Sequence, residues 1–366
     1  MNKKRKIALV GGGTAGHITP NIALMEELKN RNYEIIYIGS KGGMEEGIMG
    51  KLHIPFFGIT VDKLRRYFDL KNLMIPFNVF KGFKEALNIL KEQKVDIVFS
   101  KGGYVAVPVV VAASCLHISI ISHEADITPG LANRIASPHS KVICCNFEEA
   151  KKSFGRKGVH TGSPIRKEIL NGDRKKGLEY LGFNNNKPIM FVTGGSLGSQ
   201  YINELVRRNI GRITEDYNVV HQCGKGKLDE NLKGFVKDEK FIKSIYDYKQ
   251  FEIISDELPD VFAAADFVIS RAGANIIFEI LALKKPNLLI PLSKKASRGD
   301  QILNARSFEK KGYSVVLTEE EEDMYPWKFF EKLEELENKK EEMKKKMSEA
   351  KESDAINKIC DIIDKY

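Results

Sequence analysis

Two glycine-rich segments have the residue types and the spacing of phosphate-binding turns. The first, Val10–His17, reads VGGGTAGH and follows the apolar run Ile7–Val10. The second, Gly194–Ser199, reads GGSLGS and follows the apolar run Ile189–Thr193. A glycine turn between a strand and a helix presents backbone N–H groups at the positive end of the helix, which favours a phosphate. Two such turns predict twin α/β domains that hold a diphosphate-bearing ligand in the cleft between them.

The first turn also fits the G-x-G-x-x-G fingerprint of dinucleotide-binding domains through Gly11, Gly13 and Gly16. That fingerprint requires an acidic residue at the end of the second strand, where it binds a ribose. Here the predicted second strand, Glu34–Ile38, is followed by glycine and serine. We therefore do not expect an NAD-type cofactor. A purely structural use of the glycines in tight turns stays open as an alternative.

Further polar residues follow predicted strands or precede predicted helices, the positions at which doubly wound sheets bind their ligands. These clusters are Ser100–Tyr104, Ser122–Asp126, Ser270–Ala274 and Arg298–Gln301. Glu279 lies in the helix predicted after the third cluster. Because the carboxyl ends of parallel strands lie at one edge of a sheet, we expect these side chains to contribute to a binding site.

Strands alternate with helices along the whole chain, which predicts an α/β protein with doubly wound parallel sheets. Helices are predicted at Ile18–Arg31, Phe80–Gln93 and Val107–Leu116 of the first half. The predicted strands are Ile7–Val10, Glu34–Ile38, Ile54–Thr60, Asp96–Ser100, Ser119–Ser122, Val142–Cys145, Ile189–Thr193, Asn218–Gln222, Tyr248–Ile253, Phe267–Ser270, Asn287–Ile290 and Ser314–Leu317.

The domain boundary is expected near Thr161–Pro164, which gives a first domain over residues 1–163 and a second over 164–344. The charged stretch Lys167–Lys187 is expected to be irregular. The last helix, at about residues 345–366, has isoleucines near helical spacing and is expected to pack back on the first domain.

The composition is that of an ordinary globular protein: 366 residues, 42% hydrophobic and 29% charged. A net charge of +9 favours acidic partners, but no nucleic-acid-binding motif is evident, so no nucleic acid is expected. The five cysteines form no C-x-x-C pair, which predicts neither a metal site nor disulfides. The longest apolar stretch, Val105–Leu116, is too short to span a bilayer.

The segment Leu64–Phe83 departs from the alternating pattern. It is rich in aromatic and aliphatic residues, among them Phe77 and Phe80. The cations in or beside it are Lys63, Arg65, Arg66, Lys71, Lys81 and Lys84. Apolar residues flanked by cations suit the interface of an anionic membrane. A long crossover that packs into the core is the alternative, although it does not account for the cations.

Seven motifs in order along the chain resemble the MurG family, the peripheral N-acetylglucosaminyltransferases that convert lipid I to lipid II in peptidoglycan synthesis. The motifs are GGGTAGH, GGYV, HE-x-[ND]-x-x-PG, GSPIR, GGSLG, SRAGA-x-x-x-x-E and Q-x-x-N-A. The resemblance runs from Gly11 to about Asp354. It departs from the family at Asp126, where many members have asparagine, at Leu197, where many have glutamine, and at Asn275 and Ile276.

The resemblance implies a GT-B fold of two Rossmann-like domains that face each other across a cleft. It implies an inverting transfer from UDP-N-acetylglucosamine to the 4-hydroxyl of the muramoyl sugar of lipid I, without a cofactor or a catalytic metal. The expected location is the cytoplasmic face of the cell membrane, as a peripheral protein. Expected partners are UDP-N-acetylglucosamine, the undecaprenyl-diphosphate-linked muramoyl pentapeptide, an anionic membrane surface and other cell-wall synthesis proteins.

The resemblance also implies roles for individual residues. Glu279 is similar to the residue that holds the ribose hydroxyls, and Ile254 to the one that contacts uracil. Gly13, Gly103 and Tyr104 are assigned to the acceptor and its diphosphate. The residues assigned to the donor are Thr14, Ala15, Gly16, Asp126, Arg166, Ser196, Ile254, Ala274, Asn275, Ile276, Ile277, Phe278, Glu279 and Gln301.

The reaction needs a base for the acceptor hydroxyl and stabilisation of the departing diphosphate. His17 lies at a predicted helix start, where the helix dipole disfavours its charged form and keeps it able to accept a proton. Glu124 and Asp126 are rival bases, and the sequence does not order the three. Two other functions stay open: a UDP-N-acetylglucosamine 2-epimerase, and a sugar-nucleotide-binding subunit without enzymatic activity.

Overall fold

The computed structural model describes residues 4–61, 75–183, 185–195, 197–230, 247–294, 296–350 and 354–366. The chain divides into two compact units. The first consists of Met1–Arg166 together with Glu352–Tyr366, and the second of Lys167–Lys351.

The first unit is a parallel sheet with helices on both faces. Its strands are β1 Arg5–Val10, β2 Tyr33–Ser40, β3 Phe56–Ile59, β4 Ile97–Ser100, β5 Ser119–Glu124, β6 Val142–Cys145 and β7 Gly158–His160. Its helices are α1 Ala15–Asn30, α2 Met44–Lys51, α3 Ile75–Glu92, α4 Ala106–Cys115, α5 Leu131–Ala136, α6 Glu148–Lys151 and, from the end of the chain, α16 Ala355–Asp364. A 3₁₀ helix spans Lys152–Lys157.

The strand order in this sheet is β3-β2-β1-β4-β5-β6-β7. The chain adds β2 and β3 on one side of β1 and the later strands on its other side, so the strand order switches between β1 and β4. The strands are apolar without alternation, as in Ile7–Val10, because side chains on both faces of the sheet are buried. The last helix packs on this sheet through Ile359 and Ile363. Arg31 at the end of α1 pairs with Asp361 and Asp364, each over 2.7 Å.

The second unit repeats the architecture with a six-stranded parallel sheet in the order β10-β9-β8-β11-β12-β13. Its strands are β8 Ile189–Thr193, β9 Asn218–Gln222, β10 Tyr248–Phe251, β11 Phe267–Ser270, β12 Asn287–Leu289 and β13 Val315–Val316. Its helices are α7 Lys167–Leu170, α8 Arg174–Leu181, α9 Gln200–Arg208, α10 Ile210–Asp216, α11 Leu258–Ala264, α12 Ala274–Ala282, α13 Asp300–Lys310, α14 Glu319–Met324 and α15 Lys328–Ser348.

The two doubly wound sheets confirm the predicted fold class, and all the predicted strands are present with shifts of a few residues. The expectation of an irregular stretch at Lys167–Lys187 is wrong, because α7 and α8 form there. The side chain of Asp173 caps α8 by accepting the N–H groups of Lys175 and Lys176, and Gly182 ends the helix in the left-handed region.

Two further differences concern the first unit. The three-residue strand β7 was not predicted, because its segment is too short to give a pattern. Helix α3 begins at Ile75 rather than at Phe80, so that Phe77 lies on a helix. Residues 64–74 of the aromatic and cationic segment lie outside the described residues. No helix within the described ranges is both long enough and apolar enough to cross a membrane.

Candidate active site

The carboxyl ends of three neighbouring strands bring the predicted residues of the first unit to one edge of its sheet. Strand β1 leads into the glycine turn, β4 into Lys101–Tyr104 and β5 into the loop that contains Asp126. The backbone N–H of Lys101 donates to the carbonyl oxygen of Val10 over 2.9 Å and so continues the pairing of β4 with β1 into the loops.

The glycine turn depends on close packing that only glycine permits. A Cβ atom on Gly11 would lie 2.5 Å from the carbonyl oxygen of His17. Gly13 has a φ of +82°, in the left-handed region, and a Cβ there would lie 2.4 Å from the Tyr104 ring. Thr14 follows in extended conformation as the N-cap residue of α1, but its side chain makes no capping hydrogen bond. The glycine turn therefore leads directly into helix α1, which begins with Ala15 and Gly16.

His17 and Tyr104 join this turn to the loop after β4. A Cβ atom on Gly103 would lie 3.1 Å from Cδ2 and 3.2 Å from Nε2 of His17, so the imidazole lies against the Gly103 backbone. The Tyr104 ring lies against Gly13 in the same way. The structure thus brings together four of the predicted residues, His17, Gly13, Gly103 and Tyr104, within one pair of loops.

Glu124 is buried and its carboxylate is held by its own loop. Its Oε2 atom accepts the backbone N–H of Gly130 and the side-chain amide of Asn133, each over 2.9 Å, and its Oε1 atom accepts the N–H of Asp126 over 3.1 Å. Burial raises the pKa of the Glu124 carboxyl above its ordinary value, although the hydrogen bonds from Asn133 and Gly130 act in the opposite direction. Asn133 also lies against Gly102, and no motif in the sequence singled it out.

Lys101 belongs to the predicted cluster Ser100–Tyr104, but the sequence assigned it no individual role. Its side chain is fully buried, and its ammonium nitrogen has no hydrogen-bond partner among the residues that the structure describes. Burial lowers the pKa of Lys101 to about 8, although the carboxylates of Glu124 and Asp126 favour its charged form. The signal in the sequence was its position directly after the predicted strand Asp96–Ser100.

In the second unit, the glycine turn after β8 packs against the loop after β9. A Cβ atom on Gly198 would lie 1.8 Å from the carbonyl oxygen of Cys223, which makes glycine obligatory there. The side chain of Ser199 accepts the N–H of Ile202 over 3.3 Å and caps α9. Lys227 donates to the carbonyl oxygen of Leu197 over 2.9 Å. Ser196 lies outside the described residues.

Gln222, at the end of β9, links this turn to Ile254. Its Oε1 atom accepts the backbone N–H of Ile254 over 3.1 Å, and its amide nitrogen lies 3.4 Å from the carbonyl oxygen of Gly195. The N–H of Ile254 is therefore engaged within the protein. Ile254 follows β10 in a loop, because that strand ends at Phe251 rather than at Ile253.

The loop after β11 starts the helix that carries most of the predicted donor residues, Ala274–Glu279. Gly273 is the N-cap residue of this helix, α12, and Glu279 is 9% exposed rather than on the helix surface. The guanidinium of Arg271 makes its contacts within the protein. It pairs with Glu319 over 2.6 Å and donates to the carbonyl oxygens of Ile290 and Pro291.

Residues of the Q-x-x-N-A motif support the same loops. The Oε1 atom of Gln301 accepts the N–H of Leu292 over 3.1 Å, and Asn304 donates to the carbonyl oxygen of Ala272 over 3.2 Å. Arg166 is half-buried and is the last residue of the first unit before α7. Within the described ranges, no group of three or more His, Cys, Asp and Glu residues is arranged to hold a metal ion.

Family models match both units. The glycosyltransferase family 28 N-terminal domain matches residues 7–144, and the glycosyltransferase family 28 C-terminal domain matches residues 189–364. These matches and the two doubly wound sheets define a glycosyltransferase of the GT-B fold class.

A protein of Clostridium perfringens (strain SM101 / Type A) is 51% identical over 364 residues, which are 99% of each chain. It is named "UDP-N-acetylglucosamine--N-acetylmuramyl-(pentapeptide) pyrophosphoryl-undecaprenol N-acetylglucosamine transferase". The chain therefore belongs to the MurG family.

Solved structures agree on the fold. The crystal structure of Acinetobacter baumannii MurG superposes with a TM-score of 0.73 at 22% identity and covers 99% of this chain and 100% of its own. A UDP-GlcNAc 2-epimerase from Neisseria meningitidis, bound to UDP-GlcNAc, gives a TM-score of 0.67 at 15% identity over 99% of this chain and 100% of its own. At these identities the likeness concerns the fold alone.

Proposed function

We propose that the protein transfers N-acetylglucosamine from UDP-N-acetylglucosamine to lipid I and so forms lipid II for peptidoglycan synthesis. The observation that carries this proposal is the 51% identity, over 99% of both chains, to a transferase named for that reaction. The two glycine turns at the carboxyl edges of the two sheets support it, because both substrates carry a diphosphate.

We further propose that the acceptor binds to the first unit, where Gly13, Gly103 and Tyr104 adjoin His17. The 4-hydroxyl of the muramoyl sugar attacks the anomeric carbon with inversion, and UDP leaves. His17 takes the hydroxyl proton. The position of its ring, near the start of the 16-residue helix α1 and against Gly103, supports this role.

Glu124 is the alternative base. Burial raises the pKa of its carboxyl above the ordinary value, which makes the carboxylate a stronger proton acceptor. However, three N–H donors of its own loop already occupy its oxygens. This environment suits an anchor that orders the loop around Asp126 better than a base that must accept a further proton from a substrate. We therefore rank His17 first.

For the donor, we propose that the second unit binds UDP. Glu279 accepts the ribose hydroxyls, the Gly194–Gly198 turn with Ser196 holds the diphosphate, and Ile254 offers its carbonyl oxygen to uracil. The amide nitrogen of Gln301 donates to the sugar hydroxyls. The roles of Thr14–Gly16, Asp126, Arg166 and Ala274–Phe278 toward the UDP-sugar stay predictions from the family.

We propose that the protein acts as a peripheral protein on the cytoplasmic face of the membrane, with α3 as part of the contact. Phe77 and Phe80 on this helix are 64% and 55% exposed. The Lys84 ammonium lies 4.6 Å from the centre of the Phe80 ring. Exposed aromatic rings beside lysines fit an anionic lipid interface better than the core packing that we considered for this segment.

The test uses purified protein, labelled UDP-N-acetylglucosamine and a lipid I analogue, with chromatographic detection of a disaccharide lipid. We expect that product with and without EDTA, because backbone dipoles stabilise the leaving diphosphate. His17→Ala should lower kcat roughly 100-fold in a folded protein. Formation of UDP-N-acetylmannosamine without lipid would instead identify an epimerase. Formation of neither product would favour a subunit that binds the sugar nucleotide without enzymatic activity.

A further inference from the structure

Glu45 is a fully buried carboxylate beside the first glycine turn, at a position that none of the sequence motifs includes. It is the second residue of α2, the helix that follows β2. Its Oε1 atom accepts the backbone N–H of Ser40 over 2.8 Å and the Ser40 hydroxyl over 2.6 Å. Its Oε2 atom lies 3.5 Å from the backbone nitrogen of Gly13, whose N–H donates to it.

The backbone around Glu45 consists of glycines because no larger residue fits there. A Cβ atom on Gly12 would lie 2.2 Å from Oε1 of Glu45. On Gly39 it would lie 2.6 Å from Cγ, and on Gly43 2.6 Å from Cδ. The carboxylate is therefore enclosed by the glycine turn, the end of β2 and the start of α2.

An acid just after the second strand is the residue with which dinucleotide-binding domains hold a ribose. The sequence offered none directly after β2, and Glu45 comes five residues after Ser40. It faces inward, and its oxygens accept hydrogen bonds from Ser40 and Gly13. In this unit the acid thus binds the protein's own turn.

We propose that Glu45 is a positioning residue that fixes the first glycine turn and thereby the imidazole of His17. The inference rests on the proposed function, in which His17 is the base. Glu45 holds Gly12 and Gly13 from one side, while the Tyr104 ring lies against Gly13 from the other. The helix that begins just after this turn carries His17, so a displacement of Gly13 moves the base relative to Gly103.

The first experiment compares Glu45→Gln with Glu46→Gln. Glutamine keeps the size of the side chain but turns its NH₂ group toward the backbone N–H of either Ser40 or Gly13. Two donors then face each other, so the backbone that encloses the side chain must shift. We expect kcat per folded enzyme to fall tenfold or more, while the affinity for UDP stays unchanged. Glu46 is the exposed neighbour that accepts the N–H of Gly42 over 3.1 Å, and its variant should match the wild type.

The second experiment separates positioning from a general loss of stability. If Glu45 acts through His17, then Glu45→Gln should reduce the residual turnover of His17→Ala by less than twofold. If Glu45→Gln lowers turnover tenfold both in the wild type and in His17→Ala, the proposal is overturned. A wild-type kcat for Glu45→Gln alone would also overturn it.

A third readout does not depend on turnover, so it also applies if the wild-type protein shows no transferase activity and the proposed function fails. In protein labelled with ¹³C-histidine, the imidazole signal of His17, assigned through His17→Ala, should move in Glu45→Gln and stay in place in Glu46→Gln. An unmoved signal in Glu45→Gln contradicts the inference.

Discussion

Gln222 and Ile254 are joined by a hydrogen bond of 3.1 Å from the backbone N–H of Ile254 to the side-chain oxygen of Gln222. The amide nitrogen of the same glutamine lies 3.3 Å from the Thr193 hydroxyl and 3.4 Å from the carbonyl oxygen of Gly195. One side chain therefore connects the segment proposed to contact uracil with the turn proposed to hold the diphosphate.

Replacement of Gln222 should weaken nucleotide binding. Gln222→Ala leaves the buried N–H of Ile254 without an acceptor, a loss of about 1–3 kcal/mol, and we expect an approximately tenfold weaker affinity for UDP. Gln222→Glu keeps that acceptor but adds a negative charge beside Gly195, so it should weaken UDP more than uridine. Calorimetric titration with both ligands measures this, and Gln93→Glu in the first unit is the control. Equal losses for UDP and uridine in Gln222→Glu would contradict the assignment of the turn to the diphosphate.

Glu279→Ala should weaken UDP by about 2 kcal/mol or more, because a carboxylate that accepts two ribose hydroxyls makes charge-assisted hydrogen bonds. Titration with 2′-deoxy-UDP makes the test specific. Since the variant has already lost the ribose contact, it should discriminate less between UDP and the deoxy compound than the wild type does. Glu204→Ala, on an exposed helix position of the same unit, is the control. Undiminished discrimination would remove Glu279 from the ribose site.

The sequence predicted the sheets well because buried parallel strands are continuous apolar runs, as in Ile7–Val10 and Ile189–Thr193. It also predicted that residues at strand ends share an edge. It could not predict contacts between loops that are distant in the chain. Gln222 and Ile254 are 32 residues apart, and only the pairing of β9 with β10 makes them neighbours.

Burial was the other property that the sequence did not provide. Lys101 and Glu45 are ordinary charged residues in the sequence, and their enclosure depends on glycines and strands from elsewhere in the first unit. Ile254 was selected for its backbone groups, but the sequence could not show that its N–H is already engaged.

Lys101 should give the protein a stability that rises in alkaline solution. Its pKa is about 8 in the folded protein and near 10.5 in the unfolded chain, so the unfolded state binds more protons between these values. The free energy of unfolding must therefore increase with pH in this window, by on the order of 3 kcal/mol in total. Below pH 8 the full cost of burying the ammonium is present.

Denaturant unfolding of the wild type and of Lys101→Met at several pH values between 7 and 10 measures this difference. The wild type should gain stability relative to the methionine variant as the pH rises. Lys51→Met, which replaces an exposed lysine of the same unit, is the control. A constant difference between the wild type and Lys101→Met would mean that the ammonium is not buried as described.

The double variant Phe77→Ser and Phe80→Ser should lose affinity for acidic liposomes and turn over long-chain lipid I more slowly. Both rings are more than half exposed, so their removal should leave the fold and the affinity for UDP unchanged. Each lysine near an anionic surface adds about 1 kcal/mol, and salt screens it, so binding should be reversible and fall with ionic strength. Leu170→Ser with Leu178→Ser, two exposed leucines of the second unit, is the matched control. A double phenylalanine variant that is folded and binds liposomes like the wild type would exclude this helix as the membrane contact, whereas unfolding would mean that the two rings belong to the core.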